Sequence, residues 1–372
     1  MLRGTTTVGA ALVAVLLGAL AQPRALSDEP SYRGRSLKEW RLMLQDDPKP
    51  ERRRAAIMVI EVLGAKDPTT VAALGRAVRK DVDADVRRHA AQLLGGFGAE
   101  AREAMDDLAA ALKSDASPAV RSSAAAALGS LGVSGKAATV LPAVTAALKD
   151  KDGGVRIAAA EAIARQGAEG ELAVPDLSAA LTDDQPLVRA TAAAAIGRIG
   201  PGAKEAVPGL AKLVASDPSP EVRKEAVAAL GQLGSEAAPA TEALIKVLGD
   251  SRADVRQRAA LVLGRLGKDA KAAAPGLIRL LNDGDKAVRA QAVRALPAVA
   301  GPTNEVLAAL AARVDDEAAE VRIAAIQELG QLGPAAQAAA PALIAATRDA
   351  RSAISEAAKD ALKRVQNVEK SP

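Results

Sequence analysis

The chain has 372 residues, 49% of them apolar, yet Tyr32, Trp40 and Phe97 are its only aromatic side chains and it has no cysteine. That excludes disulfides, thiolate nucleophiles and Cys-ligated metals, and it leaves no set of rings for base stacking or for an aromatic cage. The formal charge of +4 is small for so long a chain, so the concentrated basic face of a nucleic-acid binder is not expected.

The first residues read MLRGTTTVGAALVAVLLGALAQPRALSDEP, with Arg3 ahead of an uncharged apolar run from Val8 to Ala21. Small residues follow at signal-peptidase spacing, as Ala19/Ala21 or Ala25/Ser27. The run is short for a membrane span. Residues 1–27 therefore read as a secretory signal peptide, and the mature chain as exported, periplasmic or extracellular. An uncleaved signal anchor is the alternative, and it is the only membrane contact expected. Without a cysteine after the run, a lipoprotein is excluded. Removal of Arg3 and Arg24 leaves a net charge of +2.

Next comes SYRGRSLKEWRLML. Ser36 and Glu39 have capping-box spacing, and Trp40 is placed to cover the open end of a core, so residues 31–46 read as an N-terminal cap.

Beyond it the chain repeats itself. An arginine recurs at Arg53, Arg87, Arg121, Arg156, Arg189, Arg223, Arg256, Arg289 and Arg322, in steps of 33 to 35 residues, and Ser355 takes its slot in a tenth copy. Six residues earlier stands Asp47, Asp81, Asp115, Asp150, Asp183, Asp217, Asp250, Asp283, Asp316 and finally Asp349. Alanine always follows three residues after the anchor, and glycine follows eleven after it in eight of the ten copies. Such a period signals stacked structural units.

Each slot has a physical reading. In EVRKEAVAALGQLG, residues Val222, Ala226, Val227, Leu230 and Leu233 follow helical spacing, and Gly234 stops the helix. Gly231 and the invariant Ala keep the surface low, so a neighbouring backbone can approach. A second helix lies between each glycine and the next Asp, with Pro208 in its first turn and Pro142, Pro175, Pro275 and Pro341 in matching places. Each unit is thus helix A, an Asp-bearing turn, helix B and a Gly-closed loop. No single pair buries enough surface to stand alone, but stacked copies do. The Asp and Arg slots suit a ladder of ion pairs. Because the last copy keeps Asp349 but lacks the arginine, the ladder is expected to run from each Arg to the Asp of the next copy. Copy eight departs from the pattern, with Pro297 and Ala300 in the glycine slots, and a shortened or bent helix is expected there. The closing ALKRVQNVEKSP turns polar, and 369–372 read as a disordered tail.

The tandem pattern DxxxxVRxxAxxxLGxLG resembles the HEAT repeat, in the short bacterial form named after phycobilisome-lyase subunits, over roughly residues 36–368. The resemblance implies an all-α, right-handed α-solenoid of about ten stacked helical hairpins, a HEAT/armadillo-like superhelix, as a single domain over 28–368. It also implies that the Asp and Arg slots are architectural and that the B helices line the concave side. The lead-in is similar to that of exported HEAT proteins of planctomycete-like bacteria.

Chemistry has few candidates. His89 is the only histidine and has no team for acid–base or metal work. A HEAT-type hydroxylase would need several His–Glu metal pairs, and a HEAT-type DNA glycosylase a basic groove with aromatics. The DD pairs at 106–107, 183–184 and 315–316 fall at helix ends, where dipole and capping duty accounts for them. No cofactor is expected. What remains is surface: the slot nine after the anchor carries Arg165, Arg198, Gln232, Arg265, Gln331 and Arg364, with Arg258 and Arg294 beside the row. A stripe of long donors suits an acidic or extended protein partner; an ordinary solvated face is the alternative. The expected function is a non-catalytic protein-interaction scaffold. A phycobilin-lyase-like or other protein-modifying subunit, and a purely structural envelope component, are the rivals.

Overall fold

A computed structural model describes residues 30–63, 66–132 and 137–366, with the backbone alone for 137–139. The segment expected to be a signal peptide and the expected tail lie outside those residues. The fold is an all-α solenoid. A two-residue antiparallel pairing, β1 (Ser31–Tyr32) with β2 (Arg35–Ser36), precedes it.

The first pair is α1 (Leu37–Asp46) and α2 (Pro50–Leu63). Then come α3 (Pro68–Lys80) with α4 (Ala84–Phe97), and α5 (Met105–Ser114) with α6 (Pro118–Leu131). The middle of the chain gives α7 (Ala137–Ala146) with α8 (Gly153–Ala164), α9 (Val174–Ala180) with α10 (Pro186–Ile199), and α11 (Val207–Ser216) with α12 (Pro220–Leu233). Four more pairs follow: α13 (Thr241–Lys246) with α14 (Ala253–Leu266), α15 (Ala274–Leu280) with α16 (Lys286–Ala300), α17 (Asn304–Arg313) with α18 (Ala319–Leu332), and α19 (Ala340–Ala346) with α20 (Ser352–Gln366). Even-numbered helices are the B helices, and each packs on the B helix of the next copy.

Small residues set the stacking distance. The alanine three after each anchor is buried in every copy, from Ala56 to Ala358. Eight after the anchor, glycine receives the next copy's alanine. A Cβ on Gly129 would lie 2.7 Å from Ala162 Cα, and one on Gly264 3.0 Å from Ala295 Cα. Protein interiors are close-packed, so this contact tolerates no added methyl without movement.

The ends of the B helices differ from the expected open loops. Glycine caps them with positive φ (Gly200 at 80°, for example), and a 3-10 helix follows at once, such as Gly200–Ala206 and Gly234–Ala240. Three residues per turn put Gly, Ala and Ala on one face. Ala203 and Ala206, Ala237 and Ala240, and Ala270 and Ala273 are buried accordingly.

Two local expectations are corrected. The copy-eight helix is longer, not shorter: α16 runs 15 residues through Pro297, against 14 for most B helices. Ala300 continues the helix, so the capping glycine moves to Gly301 (φ 71°), and Thr303 then caps α17 directly through the Val306 N–H, with no 3-10 segment between. Pro142 lies inside α7 and not in its first turn, because the helix there starts at Ala137.

The N-terminal cap has a defined geometry. Ser36 Oγ accepts from Glu39 N–H, the Glu39 carboxylate accepts from Ser36 N–H at 2.7 Å, and buried Trp40 donates Nε1–H to the Tyr32 carbonyl. Arg35 stacks over the Trp40 ring at 5.4 Å.

Candidate functional site

Each anchor arginine sits in the first turn of a B helix and points along the solenoid axis. Arg53 donates Nε and Nη2 to the two carboxylate oxygens of Asp81, both at 2.7 Å, and Nη1 to the Asp47 carbonyl at 2.8 Å. The pairing repeats as Arg87–Asp115 (2.6 Å), Arg121–Asp150 (2.7 Å), Arg156–Asp183 (2.7 Å) and Arg189–Asp217 (2.7 Å). It continues through Arg223–Asp250 (2.6 Å), Arg256–Asp283 (2.7 Å), Arg289–Asp316 (2.9 Å) and Arg322–Asp349 (2.9 Å). Every rung joins one copy to the next.

The carboxylates are held from the other side as well. Asp81, Asp115, Asp150, Asp183, Asp217, Asp250, Asp283, Asp316 and Asp349 each accept the N–H two residues on, so the Asp closes its own turn. Burial pushes the carboxyls of Asp115, Asp150, Asp183, Asp250, Asp283 and Asp316 up, but the arginine and backbone donors outweigh it and hold them below the usual range.

The ends of the ladder are finished differently. Asp47 has no arginine before it and meets Arg52 at 3.5 Å. Ser355, in the last anchor slot, donates to the Thr347 carbonyl at 2.6 Å, so its hydroxyl serves a helix-end carbonyl as the Arg Nη1 does elsewhere.

The exposed face of the B helices carries the second set. Arg165, Arg198, Gln232, Arg258, Arg265, Arg294, Gln331 and Arg364 are all exposed. The residues nine after the anchor lean back over the preceding copy, across the slot that glycine keeps open. Arg165 donates to Ser130 Oγ at 2.9 Å, a Cβ on Gly197 would meet the Gln232 amide oxygen, and a Cβ on Gly231 would lie 4.0 Å from Arg265 Nη1. The row is thus partly an inter-repeat contact, which periodicity does not reveal. His89 is half-buried and bonded through Nδ1 to its own helix, at the Asp85 carbonyl.

Among the described residues, no group of three or more His, Asp or Glu side chains could hold a metal ion. No described helix is long and apolar enough to cross a membrane.

The comparisons agree with this architecture. No curated protein matches the sequence. A crystal structure of an engineered protein is similar over 88% of this chain and 94% of its own, at 22% identity and a TM-score of 0.58. Kap95 in its complex with Nup1 (15% identity, TM-score 0.61) and Kap121p bound to Nup53p (15%, TM-score 0.56) also cover 88% of the chain, which spans 50% and 41% of theirs. The HEAT repeats pattern matches residues 37–129, 105–186, 174–241 and 241–330, and the chain belongs to the HEAT-repeat family.

Proposed function

We propose that this chain is a non-catalytic, exported scaffold that binds a protein or peptide partner on its concave B-helix face, and that its repeats are of the short bacterial type. One observation carries the reading: the B-helix face exposes a row of long donors, while the anchor arginines are consumed by the ladder. Arg198, Arg258, Arg265, Arg294 and Arg364 stand exposed along that face. Arginine suits carboxylate recognition through its planar fork. The two Kap structures, each printed as a complex with another protein, support partner binding by this kind of fold. The apolar Val8–Ala21 run behind Arg3 supports export.

The test is affinity capture from the native envelope fraction, with Arg198→Glu/Arg265→Glu as the comparison bait. A protein held by the wild type and lost by the charge-reversed bait supports the reading. Equal capture by both, or co-purifying pigment or turnover, overturns it in favour of a solvated face or a lyase-like subunit.

A further inference from the structure

The B-helix face has one long depression, and it lies along α10. The groove has a volume of about 520 Å3. Its floor is the exposed side of α10, where Ala190, Thr191 and Ala194 are all short. Its walls are the C-terminal half of α8 and the N-terminal half of α12. A 14-residue helix is about 21 Å long, so the groove has room for three to four turns of another helix.

The two ends of the groove differ in charge. Arg165 and Arg198 line it at the C-terminal end of α10, and Glu221 and Glu225 line it at the N-terminal end, beside Leu187, which is 62% exposed. Glu221 is partly neutralised by Lys224 and Arg252.

The floor also selects secondary structure. Its one polar side chain, Thr191, already donates to the Leu187 carbonyl at 2.8 Å. An extended chain laid on alanines would leave backbone N–H and C=O groups without partners, whereas a helix satisfies its own. We infer that the α10 groove docks an amphipathic helix of a protein partner, antiparallel to α10. Its acidic N-terminus sits over Arg165 and Arg198, its apolar face on Leu187, Ala190 and Ala194, and its basic C-terminus by Glu221 and Glu225. That polarity also suits the ligand helix itself, which is stabilised by acids at its N-terminus and bases at its C-terminus. Recognition of this kind lays an apolar helix face into a groove. The inference rests on the B-helix face being the docking side.

The experiment uses the full chain and four dye-labelled helical peptides with one shared Leu/Ala face: Glu-to-Lys, Lys-to-Glu, all-Glu and all-Lys. Fluorescence anisotropy should show the Glu-to-Lys peptide binding at least about tenfold tighter than the other three, on the order of 1.4 kcal/mol. Ala194→Arg should abolish this binding and Ala228→Arg should not. Arginine is tolerated in that slot, since Arg294 occupies it in copy eight. Equal binding of all four peptides, or binding indifferent to Ala194→Arg, overturns the groove. Tightest binding of the all-Glu peptide, lost on Arg265→Glu and kept with Ala194→Arg, overturns the groove while leaving the donor row standing. No binding by any peptide also overturns the groove, and the capture experiment then judges the broader reading alone.

Discussion

At the scale of single residues, the Arg223–Asp250 rung decides what one ladder pair contributes. The Arg223 side chain is 14% exposed and that of Asp250 5%. Removing one partner of a well-buried pair leaves the other uncompensated, which costs about 3 kcal/mol. Arg223→Ala should therefore lower the melting temperature by several degrees in a circular dichroism melt, and Arg223→Ala/Asp250→Ala by less than the two single changes added together. Acid gives an independent check. Burial raises the Asp250 carboxyl, but Arg223 and the Arg252 N–H hold it below its usual value in the fold. The unfolded chain then takes up its proton first, so the stabilisation is complete above about pH 4 and lost as pH falls through the folded value. Asp250→Asn should melt below wild type at pH 7, and the gap should close by about pH 3. The rung was legible in the sequence because both partners recur within one chain, and the missing arginine in the last copy set the direction. Periodicity cannot show that Arg165 leans on Ser130, since that contact joins two slots that vary from copy to copy.

At the scale of helices, stacking rests on a glycine of one B helix facing a small residue of the next. Gly129 and Gly96 sit on neighbouring B helices and make the contrast. A Cβ on Gly129 would collide with the α8 backbone, while one on Gly96 meets nothing within 4 Å. Gly129→Val should destabilise by about 1–3 kcal/mol through overpacking, and Gly96→Ala should stabilise by about 0.5–1 kcal/mol through helix propensity alone. Urea unfolding curves of the two variants separate packing from propensity, and equal effects of the same sign would sink the distinction. The 3-10 segments were the part of the fold missed in sequence. Their signal is present as alanines at every third residue after the capping glycine, in Gly200–Ala203–Ala206 and Gly267–Ala270–Ala273. A seven-residue stretch opened by glycine reads as a loop unless that three-residue period is sought.

At the scale of the whole molecule, a solenoid has no common centre, so its stability is a chain of neighbour contacts and fails first at the weakest one. Copies eight and nine make that contact. In the register that sets Gly264 against Ala295 and Gly330 against Ala361, Pro297 faces Glu328, so both members of the small-residue pair are replaced. Proline inside α16 also withholds a backbone donor. Glu328 is half-buried on the junction; burial raises its carboxyl above the usual value, and Arg294 on α16 only partly opposes this. A raised carboxyl disfavours the fold at neutral pH, and the penalty falls away as the group takes up its proton. Glu328→Ala should accordingly raise the melting temperature at pH 7, with a gain that shrinks toward pH 4. Native-state hydrogen exchange should show α16 and α18 opening at lower free energy than α10 and α12, and the variant should narrow that difference. Uniform protection along the array would mean that the Ala300–Gly301 adjustment and the direct Thr303 cap fully restore the contact that Pro297 and Glu328 remove.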